Sequence, residues 1–150
     1  MGHTRADIYR AIMESVAFEV KKNIQVFNEL NFEPKQLRVT GGASRSNLWN
    51  SIMADIIGIP TFRPELEEST ALGAAILAAS GAGIFPDIAK AANDICKISD
   101  KWYPNKDNNQ IYESIYDFYN ILYNNLENSN IYRKFFDLNL YQEKEEENQE

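Results

Sequence analysis

The sequence predicts an α/β fold, rich in helix with a small sheet, and three observations carry that reading. Apolar residues recur at helical spacing over residues 5–29. A short apolar run, Leu37-Arg38-Val39-Thr40, leads into Gly41-Gly42-Ala43-Ser44-Arg45-Ser46-Asn47 and then into a second helical pattern from Leu48. A helix of mostly small residues, 71–79, follows a second short apolar run. Helix, strand, glycine loop, helix, strand, helix is the order of an α/β layer. Two strands cannot cover three apolar helices, so the chain reads as part of a larger layered domain.

Thr4, with Asp7 three residues on, is the start of a capping box. The helix it opens should run over about 5–29. Ile8, Ile12, Val16, Val20, Ile24 and Phe27 line one side, joined by Tyr9, Met13 and Ala17. At 100° per residue they cover nearly half the circumference, which predicts a wide buried face lying across a sheet. Arg10 and Glu14, four apart, should pair on the surface, where such a pair is worth a few tenths of a kcal/mol. Asn31 and Pro34 close the helix. Residues 37–40 form the first strand, and a helix follows over about 46–57, ended by Gly58. Residues 59–62 read as a second strand, which Pro60 should push to an edge. Glu65, Glu67 and Glu68 suit the N-terminus of the small-residue helix. Gly73 inside that helix costs about 1 kcal/mol relative to Ala, so another backbone should approach closely there. Residues 86–93 should be a short helix, 95–99 are ambiguous, and 102–109 read as a polar loop. A last helix over about 110–127 carries Tyr112, Tyr116, Tyr119 and Tyr123 on a stripe that reads as core packing. Residues 1–127 form the domain, 128–150 a polar acidic tail whose last eight residues should be disordered.

A chain of 150 residues suits one domain, and 44% hydrophobic with 12% aromatic residues is enough to build its core. The net charge is −7, of which the tail 143–150 supplies −4. No basic footprint exists, which argues against nucleic acid as a partner. Cys96, the only cysteine, can form no internal disulfide, so a reducing cytoplasmic setting is expected. Charges run throughout residues 1–20, so no secretory leader is expected. The longest apolar run, 71–85, is interrupted by Ser80, Gly81 and Gly83 and is too short to span a bilayer; no membrane partner is expected.

The glycine loop is the candidate binding element. Glycine pairs let a ligand meet the backbone without a Cβ between them, and the N–H groups of a first helical turn face an anion or a polar heterocycle. Taken alone, Gly-Gly is more often a plain turn. What surrounds it narrows the choice. Arg10-Ala11-Ile12-Met13-Glu14-Ser15, Val39-Thr40-Gly41-Gly42-Ala43-Ser44 and Glu68-Ser69-Thr70-Ala71-Leu72-Gly73-Ala74-Ala75 occur in this order and at this spacing. Together they resemble the C-terminal part of the FGGY carbohydrate kinases, the sugar-kinase branch of the actin and heat-shock-chaperone ATPase superfamily. Asp55, Gly58 and Pro60 fall where that family writes an alanine-aspartate, a glycine and a proline. The resemblance covers about residues 3–126.

It implies a partial ribonuclease-H-like, actin-like ATPase lobe. The full enzyme would transfer the γ-phosphate of ATP, with Mg²⁺, to a hydroxyl of a ketose, polyol or sugar acid. Gly41, Gly42 and Ala43 would lie against the adenosine or its α-phosphate, and Ser46 or Asn47 would reach the adenine. Gly73, Ala74 and Ala75 would form the inter-lobe hinge, where two connecting helices cross. No catalytic residue and no metal ligand is assigned. The N-terminal phosphate loop, the catalytic aspartate and the sugar-binding segment are expected in another part of the enzyme, and this chain alone is expected to be inactive. Asp7, Asp55 and Asp87 each read as having a local helical role, His3 as incidental, and Cys96 as having no nucleophilic partner. Two rivals stand beside the kinase reading: a truncated, non-enzymatic folding or interaction module of the same fold, and another superfamily member. The uncovered surfaces predict a homodimer.

Overall fold

The computed structural model describes residues 2–138. The elements are α1 (Arg5–Glu29), β1 (Leu37–Arg38), a 3₁₀ turn (Gly42–Arg45), α2 (Asn47–Ile57), β2 (Thr61–Pro64), α3 (Ser69–Gly81), α4 (Ile88–Ile95), β3 (Ile98–Trp102) and α5 (Lys106–Asn128). A further helical run occupies 131–138. The expected disorder of 143–150 lies outside the described residues. The chain forms two compact units, Met1–Tyr112 and Glu113–Glu150.

In the first unit, α2 is the buried axis. Ile52, Met53, Ala54, Ile56 and Ile57 are all buried, and so are the polar Asn50 and Asp55. Ser46 caps its start, accepting from the Trp49 N–H at 3.2 Å. Gly58 ends it at φ +80°, a left-handed conformation suited to glycine. α1 opens with the expected capping box: the Asp7 N–H donates to Thr4 Oγ1 and the Thr4 N–H to the Asp7 carboxylate. It packs against α2 rather than across the sheet. Its only buried residues are Ala17, Phe18 and Lys21. The wide buried face predicted for α1 is therefore not buried: Ile8 is 58% and Ile12 56% exposed. The physical reason is the size of the sheet, since a two-residue β1 spans less than 7 Å and cannot underlie a 25-residue helix.

The sheet has the order β1-β2-β3, with β1 and β2 parallel and β2 and β3 antiparallel. β3 begins in the stretch that was ambiguous by pattern. It places β2 in the centre, against the edge position that Pro60 suggested. Pro60 lies just before the strand and contributes only its carbonyl, which accepts from the Leu37 N–H at 2.9 Å. Its missing N–H therefore falls outside the ladder. α5 also starts earlier than expected, because Asn105 caps it, accepting from the N–H groups of Asp107 and Asn108 at 3.0 and 3.1 Å.

Two polar contacts fasten α5 to the rest of the first unit. Tyr112, 5% exposed, accepts from Arg10 Nη2 and donates to Glu14 Oε1, each at 2.7 Å. The Arg10–Glu14 pair is thus bound to a buried phenol and is not merely a surface pair. Burial, and then donation to Glu14, push the Tyr112 phenol above its ordinary value, with Arg10 pulling the other way. At the other contact, the Asp55 carboxylate accepts from the Asn105 N–H and from Asn108 Nδ2, both at 2.8 Å, while its carbonyl accepts from Asn109 Nδ2 at 2.8 Å. The role of Asp55 is therefore tertiary, not local to its helix as its position suggested. In the second unit, Tyr116 is buried, and Tyr116 and Tyr119 stack with centroids 6.3 Å apart.

Asp55→Ala removes an acceptor from two donors and is expected to cost about 2–4 kcal/mol. Asp55→Asn, which keeps one acceptor oxygen, should cost less. Urea unfolding measures both. A loss below about 0.5 kcal/mol for the alanine variant would show that the network is not a fastening.

Candidate functional site

The glycine loop leaves the sheet where β1 ends. The Val39 N–H still donates to the Phe62 carbonyl at 2.9 Å, and two residues later Gly41 turns the chain at φ +75°, ψ −170°. That combination is essentially restricted to glycine. Gly42 starts the 3₁₀ turn, and a Cβ on either glycine would meet nothing within 4 Å. Gly41 is required by its dihedrals, whereas the smallness of Gly42 is not required by any neighbour.

Several anchors fix the loop. Ser44 is fully buried; its N–H and its hydroxyl both donate to the Gly41 carbonyl, at 3.1 and 2.7 Å. The Ser44 carbonyl in turn accepts from Asn50 Nδ2 at 2.7 Å and from Arg63 Nη1 at 3.2 Å. On the outer side, the Gly41 N–H donates to the Glu67 carbonyl at 3.2 Å, and Arg45 Nε pairs with the Glu67 carboxylate at 2.6 Å. Bonding to Glu67 raises the Arg45 guanidinium above its ordinary value. Thr40 and Ser69 join hydroxyl to hydroxyl at 3.2 Å. The loop is thus tied to α2, to β2 and to the segment that opens α3.

What remains open is specific. The N–H groups of Gly42 and Ala43 have no acceptor among the described residues, and both residues are exposed. Ser46 is committed to capping α2. Asn47, exposed at the first position of α2, makes no side-chain hydrogen bond among the described residues. Two free N–H groups and an amide side chain on one turn form a surface that suits an anion or a heterocycle. Arg45, Glu67 and Ala75 help to line a hollow of about 480 Å³ beside the loop. A smaller cleft of about 210 Å³ lies between Thr40, Ser69, Gly73 and Cys96.

Gly73, Ala74 and Ala75 lie on α3, where Gly73 and Ala75 line the two hollows beside the loop. Ala74 and Ala75 are exposed, and a Cβ on Gly73 would have nothing within 4 Å. The close backbone approach expected at Gly73 is therefore not found among the described residues. Among the described residues, no group of three His, Cys, Asp or Glu could hold a metal ion, and no helix is long and apolar enough to cross a membrane.

The anchors were not singled out in the sequence. Arg63 and Glu67 act across 19 and 22 residues of chain, and no local period marks them. The one available signal was a charged residue inside β2, between the buried Thr61 and Pro64.

The chain is similar to known proteins in sequence and in fold. Residues 1–82 match the model of the FGGY family of carbohydrate kinases, C-terminal domain. A xylulose kinase from Staphylococcus epidermidis is 32% identical over 121 residues, covering 81% of this chain and 24% of that protein. A glycerol kinase from Citrifermentans bemidjiense is 44% identical over 92 residues, 61% of this chain and 19% of that protein. The crystal structure of a xylulose kinase from Rhodospirillum rubrum superposes with a TM-score of 0.74 at 27% identity, covering 85% of this chain and 26% of that one. The chain spans about a quarter of the length of the first curated relatives it matches.

The two glycines should respond differently to alanine. Gly41→Ala forces a side chain into a glycine-only conformation and should cost about 1–3 kcal/mol. Gly42→Ala enters open space at an ordinary φ and should stay within about 0.5 kcal/mol of the parent. Denaturant midpoints of the two variants decide it, and equal losses would contradict the division of roles.

Proposed function

The chain belongs to the FGGY family of carbohydrate kinases, and from that membership we propose that it is the C-terminal, nucleotide-side part of an enzyme that moves the γ-phosphate of ATP to a sugar or polyol hydroxyl. The observation that carries the reading is the pair of open N–H groups on Gly42 and Ala43, in a turn held from three sides. In this role the turn takes the adenosine or its α-phosphate, with Gly42 small so that the ligand can approach. Asn47 is the better placed of the two adenine candidates, because the Ser46 hydroxyl already caps α2. Gly41 contributes the bend, since its own N–H is spent on Glu67.

The rest of the reaction belongs to the remainder of the enzyme. The base that takes the sugar proton and the loops that hold the γ-phosphate are on the other side of the cleft, so this chain alone turns over no sugar. Mg²⁺ would reach this side through the nucleotide phosphates, which are its usual main ligands in such a site. Xylulose and glycerol kinases among the relatives point to a ketose or polyol as substrate class. Gly73, Ala74 and Ala75 serve as the hinge surface against the partner connecting helix, and the open space over Gly73 supports this. The compartment is the cytoplasm, where ATP and a reduced Cys96 are both at home.

Half a cleft makes few contacts, so ADP should bind this chain weakly, with Kd on the order of millimolar. An NMR titration should move the amide signals of residues 40–47, and Gly42→Val, which puts a branched side chain where backbone meets ligand, should remove the response. Shifts centred elsewhere, or unchanged in the variant, would sink the assignment.

The same reading leaves the α3 small-residue face and the α1 apolar face without their cover, and the chain alone should associate as a two-fold homodimer over them. Several hundred Å² at about 25 cal/mol per Å² gives several kcal/mol before association costs. Sedimentation of the parent and of Ala75→Glu across concentration tests this. A monomer at high concentration, unaffected by the substitution, would refute it.

A further inference from the structure

The guanidinium of Arg63 is divided between two tasks. Nε and Nη2 donate to the Asp100 carboxylate on β3, at 3.1 and 2.6 Å. Nη1 points the other way, donating to the Ser44 carbonyl at 3.2 Å and reaching the Arg45 carbonyl at 3.5 Å. The group also lies over the Trp102 ring, 5.5 Å from its centroid. With its side chain 21% exposed, Arg63 sits mostly inside the sheet side of the loop.

We propose that Arg63 is a positioning residue for the nucleotide turn, resting on the reading of that turn given above. Asp100 and Trp102 hold the guanidinium plane, and the plane holds the Ser44 carbonyl. Ser44 closes the first half of the turn, since its N–H and hydroxyl both go to the Gly41 carbonyl, and the Ser46 N–H closes the second half on the Ala43 carbonyl at 3.1 Å. A fixed Ser44 carbonyl therefore fixes the peptide planes before it, and these carry the open N–H groups of Gly42 and Ala43. A surface ion pair would need only the two donors facing Asp100. The third donor is what ties the pair to the loop. A lysine cannot do the same, because one ammonium has no rigid fork with which to bond the carboxylate and the carbonyl in opposite directions. Asn50 supplies the second donor to the same carbonyl, at 2.7 Å, so loss of Arg63 should loosen the turn without releasing it.

The test is ADP titration of the intact 150-residue chain by NMR, on the parent, Arg63→Lys and Asp100→Asn, with thermal unfolding alongside. Arg63→Lys keeps the charge and should lower ADP affinity about tenfold, the loss of a charge-assisted hydrogen bond. The amide signals of Gly42 and Ala43 should already be displaced in that variant without nucleotide. Asp100→Asn leaves Arg63 on Ser44 but frees its other side, and should lower affinity about threefold; it decides the matter if Arg63→Lys does not fold. Parent-like affinity and parent-like Gly42 and Ala43 signals in a folded variant would overturn the role of Arg63 alone. A parent chain that takes no ADP at residues 40–47 would overturn the nucleotide reading, and the role with it.

Discussion

The burial of α2 is the constraint on which the first unit depends. Among the described residues it is the helix with the most buried positions, and its two buried polar residues call for partners, since an unpaired buried amide or carboxylate costs more than a hydrogen bond returns. Asn50 meets that requirement only in part near the start of the helix, its Nδ2 holding the Ser44 carbonyl while its buried Oδ1 has no partner, and Asp55 meets it near the end by holding Asn105 and Asn108. The apolar residues between them make the core. So the packing of one helix decides both where the glycine turn stands and where α5 begins. The sheet is secondary to this: three short strands, whose main service to the turn is to deliver Arg63.

Helical order was legible in the sequence because it is local. The apolar period, the Thr4–Asp7 box and Gly58 are all readable within one or two turns of chain, and α1, α2 and α3 stand where those signals put them. Burial was less legible, because it depends on what covers a face. The period of α1 marks a stripe of apolar residues, and the stripe exists; its cover does not belong to residues 2–138. The edge position expected of β2 failed for a related reason. A proline was read by its own chemistry, while the strand that pairs on the far side, β3, came from a stretch with no clear pattern.

The candidate site divides in the same way. The turn itself was legible, since Gly-Gly between a strand and a helix is a local pattern with a physical purpose. Its anchors were not, since Arg63 and Glu67 reach it from other elements and Asp100 is engaged only through Arg63. Asp55 was read as local because a carboxylate in a helix usually is. Its true partners, Asn105 and Asn108, lie some 50 residues further along the chain.

The two glycines that look alike in the sequence have unlike reasons to be there. Gly41 is held by its dihedrals, and its N–H is spent on the Glu67 carbonyl, so its task is structural. Gly42 has an ordinary φ and open space around it, and nothing within the described residues asks it to be small. Gly73 on α3 is in the same position: a costly residue in a helix interior, with nothing near it. Where a small residue carries a cost and no internal neighbour explains it, the explanation is to be sought in something that comes from outside. On the function proposed above, for Gly42 that would be a ligand approaching the turn, and for Gly73 a backbone crossing α3. Glu67 stands between the two, bonded to the turn through its carbonyl and to Arg45 through its carboxylate, one residue before Glu68 and the start of α3. One residue thus ties the turn to the segment that opens α3, through a backbone hydrogen bond and an ion pair.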